Sequence, residues 1–400
     1  MSEYTRRVTR LTRPLAPRLS RLDMELTERC NNRCVHCYIN QPADDDDIRA
    51  REMDTEFIQD ILTQAAGLGC LRVRFTGGEP LLREDFTDIY LFARRLGLKV
   101  IIFTNARLIT RELARLLARI PPGNPLEISV YGMRASSYDA AAGVSGAFDE
   151  FWRGISLLRE HQIPFVVKQS LLPQNRAEMP MFEAFAATLP DMKRGSGYTM
   201  NFDLRARRDD QGKNRLIRRL RFSPEETLAM KTREPDRYVQ EMKQFAAKFM
   251  GPAGNKLFTC GAGQSVCVDA YGRAQMCMLL RHPDTVYPLD RELHKQSHPE
   301  TELLPLEYAL TGFFPRVPES SVAGNPEYLK RCAVCFLKGL CDQCPAKSWE
   351  EHGTLDTPVE YLCRLAHAQA DYLGLLLANE KSWEVTPDDW QARLKNFTET

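Results

Sequence analysis

Eleven of the twelve cysteines fall into three groups, and the first, Cys30-Asn-Asn-Arg-Cys34-Val-His-Cys37, offers only three thiols. A cubane iron–sulfur cluster normally takes four Cys ligands, so a three-Cys loop leaves one iron free to bind another molecule. The competing chemistry is a zinc site, which wants four ligands and would have to draw the fourth from His36. The second group is Cys260, Cys267 and Gly272-x4-Cys277. The third is Cys332-x2-Cys335-x5-Cys341-x2-Cys344 with Cys363 beyond it. These eight thiols are enough for two closed four-Cys clusters, or for two structural zinc sites. Cys70 stands apart between Gly69 and an apolar run, where a small buried core residue is expected.

Three thiolates need a rigid support. The predicted strand Leu22–Leu26 ends just before the loop, and five more follow: Leu71–Thr76, Lys99–Thr104, Leu126–Val130, Phe165–Ser170 and Tyr198–Asp203. Amphipathic helices are predicted between them near Thr55–Leu68, Phe86–Leu96, Arg111–Ile120, Phe148–His161 and Met181–Leu189. Strands alternating with helices in this way imply parallel βα units. The fold class is therefore α/β, a partial (β/α)6 TIM-like barrel followed by a small Cys-rich iron–sulfur domain. Chemistry in such barrels sits on the loops at the C-terminal strand ends, where the first Cys loop falls. Residues 1–21 read as a basic arm with Arg6, Arg7, Arg10, Arg13 and Arg18, either solvated or touching an acidic peptide. Residues 22–205 form the barrel and 206–257 a helical linker, with Ser223 as N-cap and Pro224 in the first turn. Residues 258–366 are organised around metal, and 367–400 are a C-terminal helix and tail. Asp44–Asp47 read as a solvated acidic loop.

Composition excludes several classes. Hydrophobic residues make up 43% and charged residues 27% of the 400, with a formal net charge of +1. Nothing there calls for nucleic acid or an anionic membrane. No apolar run reaches the length of a membrane span, and the N-terminus lacks the apolar stretch of a signal peptide. Twelve cysteines in so large a chain suit metal or redox work in a reducing compartment, so a cytoplasmic setting is expected.

The run Cys30-x3-Cys34-x2-Cys37, with His36 at the usual aromatic position, resembles the signature of the radical S-adenosylmethionine (radical SAM) enzymes. Thr76-Gly77-Gly78-Glu79-Pro80 resembles the segment with which such enzymes receive the methionine ammonium. The resemblance implies that S-adenosylmethionine chelates the open iron held by Cys30, Cys34 and Cys37, and that reductive cleavage yields a 5′-deoxyadenosyl radical. It also implies cofactor contacts from His36, Gly77, Gly78, Glu79, Thr104, Asn105, Ser129 and Lys168, with Asn175, Asp203 and Arg205 as weaker candidates. The later cysteines resemble a SPASM domain. That likeness implies one auxiliary [4Fe–4S] cluster on Cys260, Cys267, Cys277 and Cys344 and another on Cys332, Cys335, Cys341 and Cys363, three clusters in all. The family has Cys-x3-Cys where this chain has Cys341-x2-Cys344. If Cys267 is not a ligand, the first auxiliary cluster has an open iron.

Such a chain is expected to modify a peptide oxidatively, closing a cross-link in a ribosomally made precursor, with a flavodoxin- or ferredoxin-type reductant. Only some twenty residues precede the barrel, so leader recognition is expected from a separate protein, if at all. Asp269 and Tyr271 are acid–base candidates, though Asp-x-x-Gly also makes a good turn. Met278 stands where sulfatase-maturing relatives carry Asp, which disfavours that activity. Cys34-Val-His-Cys37-Tyr38 also resembles haem-pathway relatives, so modification of a tetrapyrrole side chain or other small molecule is the second enzymatic reading. A non-catalytic zinc-binding protein is the third.

Overall fold

A computed structural model describes residues 19–192, 197–258 and 265–399. Most of the basic arm, and Cys260, lie outside the described residues. Six strands pair in parallel in one sheet, and a seventh joins them below: β1 (Leu22–Thr27), β2 (Arg72–Gly77), β3 (Lys99–Thr104), β4 (Leu126–Val130), β5 (Phe165–Ser170) and β6 (Gly197–Thr199). Three short strands, β7 (Val266–Val268), β8 (Arg273–Gln275) and β9 (Val286–Pro288), extend it past β1, giving the order β9-β8-β7-β1-β2-β3-β4-β5-β6. β7 runs parallel to β1, with Leu22 opposite Val266 and Asp23 opposite Cys267. The sheet therefore crosses the boundary expected near residue 258.

Strand alternation explains what each face does. Leu22, Met24, Val73, Phe75, Val100, Ile102, Leu126 and Ile128 are all fully buried. They share one core with Ile58, Ile61, Ile89, Leu117, Phe151 and Ile155 from the flanking helices. These helices begin where polar caps allow. The Asp54 side chain accepts from Phe57 N ahead of Thr55–Gly67, and Thr110 from Leu113 N ahead of Arg111–Arg119. Several of the alternate strand positions are charged and meet one another across the other face. Arg74 lies 3.7 Å from Asp23 and 3.6 Å from Glu127, and Lys168 lies 2.7 Å from Glu127.

The sixth strand is shorter than the expected Tyr198–Asp203. It stops at Thr199 because the residues beyond find partners outside the sheet: the Phe202 carbonyl accepts from the Arg221 guanidinium, and Asp203 pairs with Lys347 at 2.6 Å. Helices fill much of residues 211–249, and Ser223 and Glu226 form a reciprocal capping box. The last of these helices, Pro235–Phe249, packs with Phe336–Gly339, Glu360–Tyr372 and the tail helix Pro387–Glu399 around Tyr238, Phe336, Leu337 and Leu373. The acidic run Asp44–Asp47 caps and opens the short helix Asp46–Arg51, with Asp45 accepting from Ile48 N. Among the described residues no helix is long and apolar enough to cross a membrane.

Candidate active site

The first Cys loop leaves β1 at the C-terminal edge of the sheet. The chain reaches it through a very close approach to β2. A Cβ on Gly77 would stand 2.1 Å from the Thr27 carbonyl oxygen, and one on Gly78 would stand 2.2 Å from that of Arg29. Gly77 also has φ of +127°. Without side chains the two strands lock together: Gly78 N donates to Thr27 O at 2.7 Å and Glu79 N to Arg29 O at 2.9 Å. The glycines thus fix the Cys loop to the Glu79 turn.

Glu79 is fully buried behind that turn. Its Oε1 accepts from Thr104 Oγ1 at 2.7 Å and Leu81 N at 3.1 Å, while Oε2 accepts from Asn105 N at 2.8 Å. Burial pushes its pKa up to about 7, against the pull of those hydrogen bonds. Thr104 and Asn105, both expected cofactor contacts, hold Glu79. Asn105 also reaches the loop itself, donating from Nδ2 to Asn31 Oδ1 at 2.8 Å.

Cys30 and Cys34 are buried and Cys37 is half-buried. Burial pushes the Cys34 thiol up to about 12, with Cys37 adding to the effect, and Cys30 is raised well above its ordinary value by burial, Cys34 and Glu79. Buried thiols such as Cys30 and Cys34 keep their protons unless a cation replaces them, which suits metal ligation. Backbone donors are in place for the sulfurs: Asn32 N points to Cys30 Sγ and Asn40 N to Cys37 Sγ, each at 3.4 Å. His36 is wedged between the rings of Phe202 and Tyr131, with centroids 4.9 and 5.6 Å away. Its burial, with help from Lys213, holds its pKa down to about 3, so the imidazole is neutral and packs as an aromatic ring.

The other expected residues lie on β4 and β5 or in loops beyond the strands. Ser129 and Lys168 are register partners on β4 and β5, and Lys168 is engaged by Glu127 and by the Phe103 ring 5.7 Å away. Asn175 is fully buried and closes its own turn, accepting from Leu172 N and donating to the Tyr131 and Ser170 carbonyls. Arg205 pairs with Asp209 and donates to Asn40 O behind the loop. Asp269 is buried with partners on every side, accepting from Tyr271 N, Arg273 N, Arg207 and Gln275. Tyr271 donates to Glu28 at 2.9 Å.

The later cysteines are partly assembled. Cys332, Cys335, Cys341 and Cys363 line a single cavity with Arg331 and His367. Burial pushes Cys341 to about 12 and Cys332 to about 11. Cys344 is raised to about 11, mainly by burial, with a contribution from nearby Cys277. Cys267 is buried in β7 beside Asp23 and Gln275, and its strongest charged neighbours are Glu25 and Arg281. Cys70 is a buried core residue, as expected.

Against known families, residues 24–186 match the model described as the Radical SAM superfamily. The chain carries a radical SAM domain. An AdoMet-dependent heme synthase of Methanosarcina barkeri is 33% identical over 164 residues, 41% of this chain and 45% of that protein. The chain thus matches less than half the length of that curated relative. The subtilosin biosynthesis protein AlbA of Bacillus subtilis is 25% identical over 324 residues, 79% of this chain and 67% of that protein. The solved structure of anSMEcpe with bound AdoMet and the Cp18Cys peptide shares the fold, with a TM-score of 0.56 at 15% identity, covering 96% of this chain and 99% of that one.

Three supports of the Cys loop were not expected from the sequence, Arg107 and Tyr131 inside the matched residues 24–186 and Lys213 beyond them. Arg107 donates to Asn31 O at 2.6 Å and pairs with Glu150. Lys213 donates to Cys34 O at 2.5 Å, and Tyr131 sits against His36. The Asn31-Asn32 pair inside the loop was the available signal, since Asn105 donates to the Asn31 side chain and Arg107 to the Asn32 side chain. Lys213 lies too far along the chain for any local pattern to reveal it.

Proposed function

We propose that the protein is a radical SAM oxidoreductase acting on a peptide, forming a cross-link in a ribosomally made precursor. The observation that carries the chemistry is the coupling of the three-Cys loop to buried Glu79 through the Gly77-Gly78 lock and the Asn105 bridge. Cys30, Cys34 and Cys37 would hold a [4Fe–4S] cluster, and its fourth iron would bind S-adenosylmethionine. When bound, that pair supplies a 5′-deoxyadenosyl radical that removes a substrate hydrogen. Glu79 would receive the ammonium of the methionine moiety as a charge-assisted hydrogen bond, a role supported by the three donors that hold its carboxylate. His36, Tyr131 and Phe202 provide an aromatic wall that excludes water.

The converging Cys332, Cys335, Cys341 and Cys363 support one closed auxiliary cluster. The nearness of Cys277 to Cys344, felt as a small rise in the Cys344 pKa, supports part of a second, to which Cys260 and Cys267 would contribute. Their work would be to accept an electron from the oxidised substrate. The peptide reading is supported by AlbA, whose match runs over 79% of this chain. Tetrapyrrole modification is the second reading, favoured by the 33% identity to the heme synthase. Anaerobic incubation with a short peptide encoded beside the gene separates the two. The peptide reading expects product lighter by a pair of hydrogens and 5′-deoxyadenosine in step with it. Turnover of a porphyrin substrate with no peptide change would overturn it.

A further inference from the structure

We propose that Ser382 and Arg331 hydrogen-bond the sulfurs of Cys335 and Cys363 and thereby raise the reduction potential of the cluster those cysteines hold. The inference rests on the reading that Cys332, Cys335, Cys341 and Cys363 ligate an iron–sulfur cluster. Ser382 is completely buried, and its Oγ lies 3.0 Å from Cys335 Sγ. A thiolate bound to iron has no proton to give, so the hydroxyl is the donor. Arg331 Nη2 lies 3.6 Å from Cys363 Sγ.

Both groups are held by their surroundings. Ser382 N donates to His367 Nε2 at 3.3 Å, and His367 Nδ1 lies 2.8 Å from the Cys363 carbonyl oxygen. One tautomer satisfies both contacts, with the proton on Nδ1. The imidazole therefore ties the turn bearing Ser382 to the helix Glu360–Tyr372, which bears Cys363. Arg331 is fixed by Glu360 at 2.5 Å and by the Trp383 ring 4.6 Å from its guanidinium carbon. Residues 382 and 383 thus fold back over the four-Cys cavity from beyond the last cysteine. Reduction adds a negative charge to the cluster, and donors or a cation aimed at its sulfurs stabilise that charge.

The test is a redox titration followed by electron paramagnetic resonance on anaerobically reconstituted full-length chain. Cys30, Cys34 and Cys37 are replaced by Ala throughout, so that only auxiliary clusters report. Ser382→Ala should shift one signal to lower potential, by about tenfold in the reduced-to-oxidised ratio at fixed potential, or about 59 mV for a one-electron couple. Arg331→Gln should move the same signal the same way, and Ser382→Thr, which keeps the hydroxyl, should leave it in place. Full iron content with unmoved potentials in Ser382→Ala and Arg331→Gln overturns the proposal while leaving the ligand reading intact. Equal shifts in the Ala and Thr variants also overturn it, because packing would then be the cause. Cys335→Ala and Cys363→Ala variants that keep all their iron and both signals would instead overturn the ligand reading.

Discussion

Exchanging Glu79 for Gln separates the cost of burying a charge from the use made of it. Burial moves this carboxyl from an ordinary 4.5 to about 7. Between those values the folded chain keeps a proton that the unfolded chain has released, so folding stability falls as pH rises through the window. The loss reaches about 3 kcal/mol by pH 7, at 1.36 kcal/mol per pKa unit. Gln does not ionise and removes that slope, but its amide must face a donor: Asn105 N on one side, or Leu81 N and Thr104 Oγ1 on the other. An unpaired buried donor costs about 1–3 kcal/mol. Urea unfolding of the cluster-free proteins should therefore show Glu79→Gln less stable near pH 4.5, then drawing level with wild type, or passing it, by pH 7.5. Cofactor binding should go the other way. Reconstituted wild type should bind S-adenosylmethionine more tightly as pH rises towards 7, and Glu79→Gln should bind it roughly tenfold to hundredfold more weakly at pH 8, from about 1.5–3 kcal/mol for a hydrogen bond to a charged group. Parallel stability curves for the two proteins, or unchanged affinity in the variant, would refute the reasoning.

Gly77→Ala should lower stability by roughly 2–6 kcal/mol, combining left-handed strain with overpacking against Thr27, and a urea midpoint equal to wild type would contradict it. Arg281 and Glu25 form a pair buried at the sheet face, 2.5 Å apart. Arg281→Met should cost about 3–5 kcal/mol by stranding Glu25, and adding Glu25→Gln should restore part of it; denaturant melts of the single and double variants decide. Cys363→Ala should lower bound iron by about four atoms per chain after anaerobic reconstitution. Cys70→Ala should leave iron content unchanged, since that thiol sits in the barrel core.

The parallel strands were legible because their apolar positions alternate and their ends carry Gly, Asn or Cys. Lys99–Thr104, Leu126–Val130 and Phe165–Ser170 fall where periodicity places them. The strands β7 to β9 were not legible, for a physical reason: three residues are too few to show a period, and β7 exists because β1 offers it a free edge. The expected sixth strand overran because Phe202 and Asp203 are β-compatible in sequence but are claimed by Arg221 and Lys347. At the site, ligand types and the Gly77-Gly78-Glu79 turn could be read directly. The division of labour could not: Thr104 and Asn105 hold Glu79, and Lys168 answers Glu127, through contacts between strands that no local pattern encodes. Ser382 was likewise invisible, because its contact with Cys335 spans 47 residues.

The central claim is that Cys30, Cys34 and Cys37 hold a cluster whose open iron binds S-adenosylmethionine. Its most direct test compares wild type with a variant in which all three are Ala, each reconstituted anaerobically, reduced, and titrated with S-adenosylmethionine under electron paramagnetic resonance. Wild type should show a cluster signal that changes on addition of the cofactor and should release 5′-deoxyadenosine. The variant should keep its C-terminal iron, lose the cofactor-dependent signal and release none. Continued cleavage of S-adenosylmethionine by the variant would contradict the account.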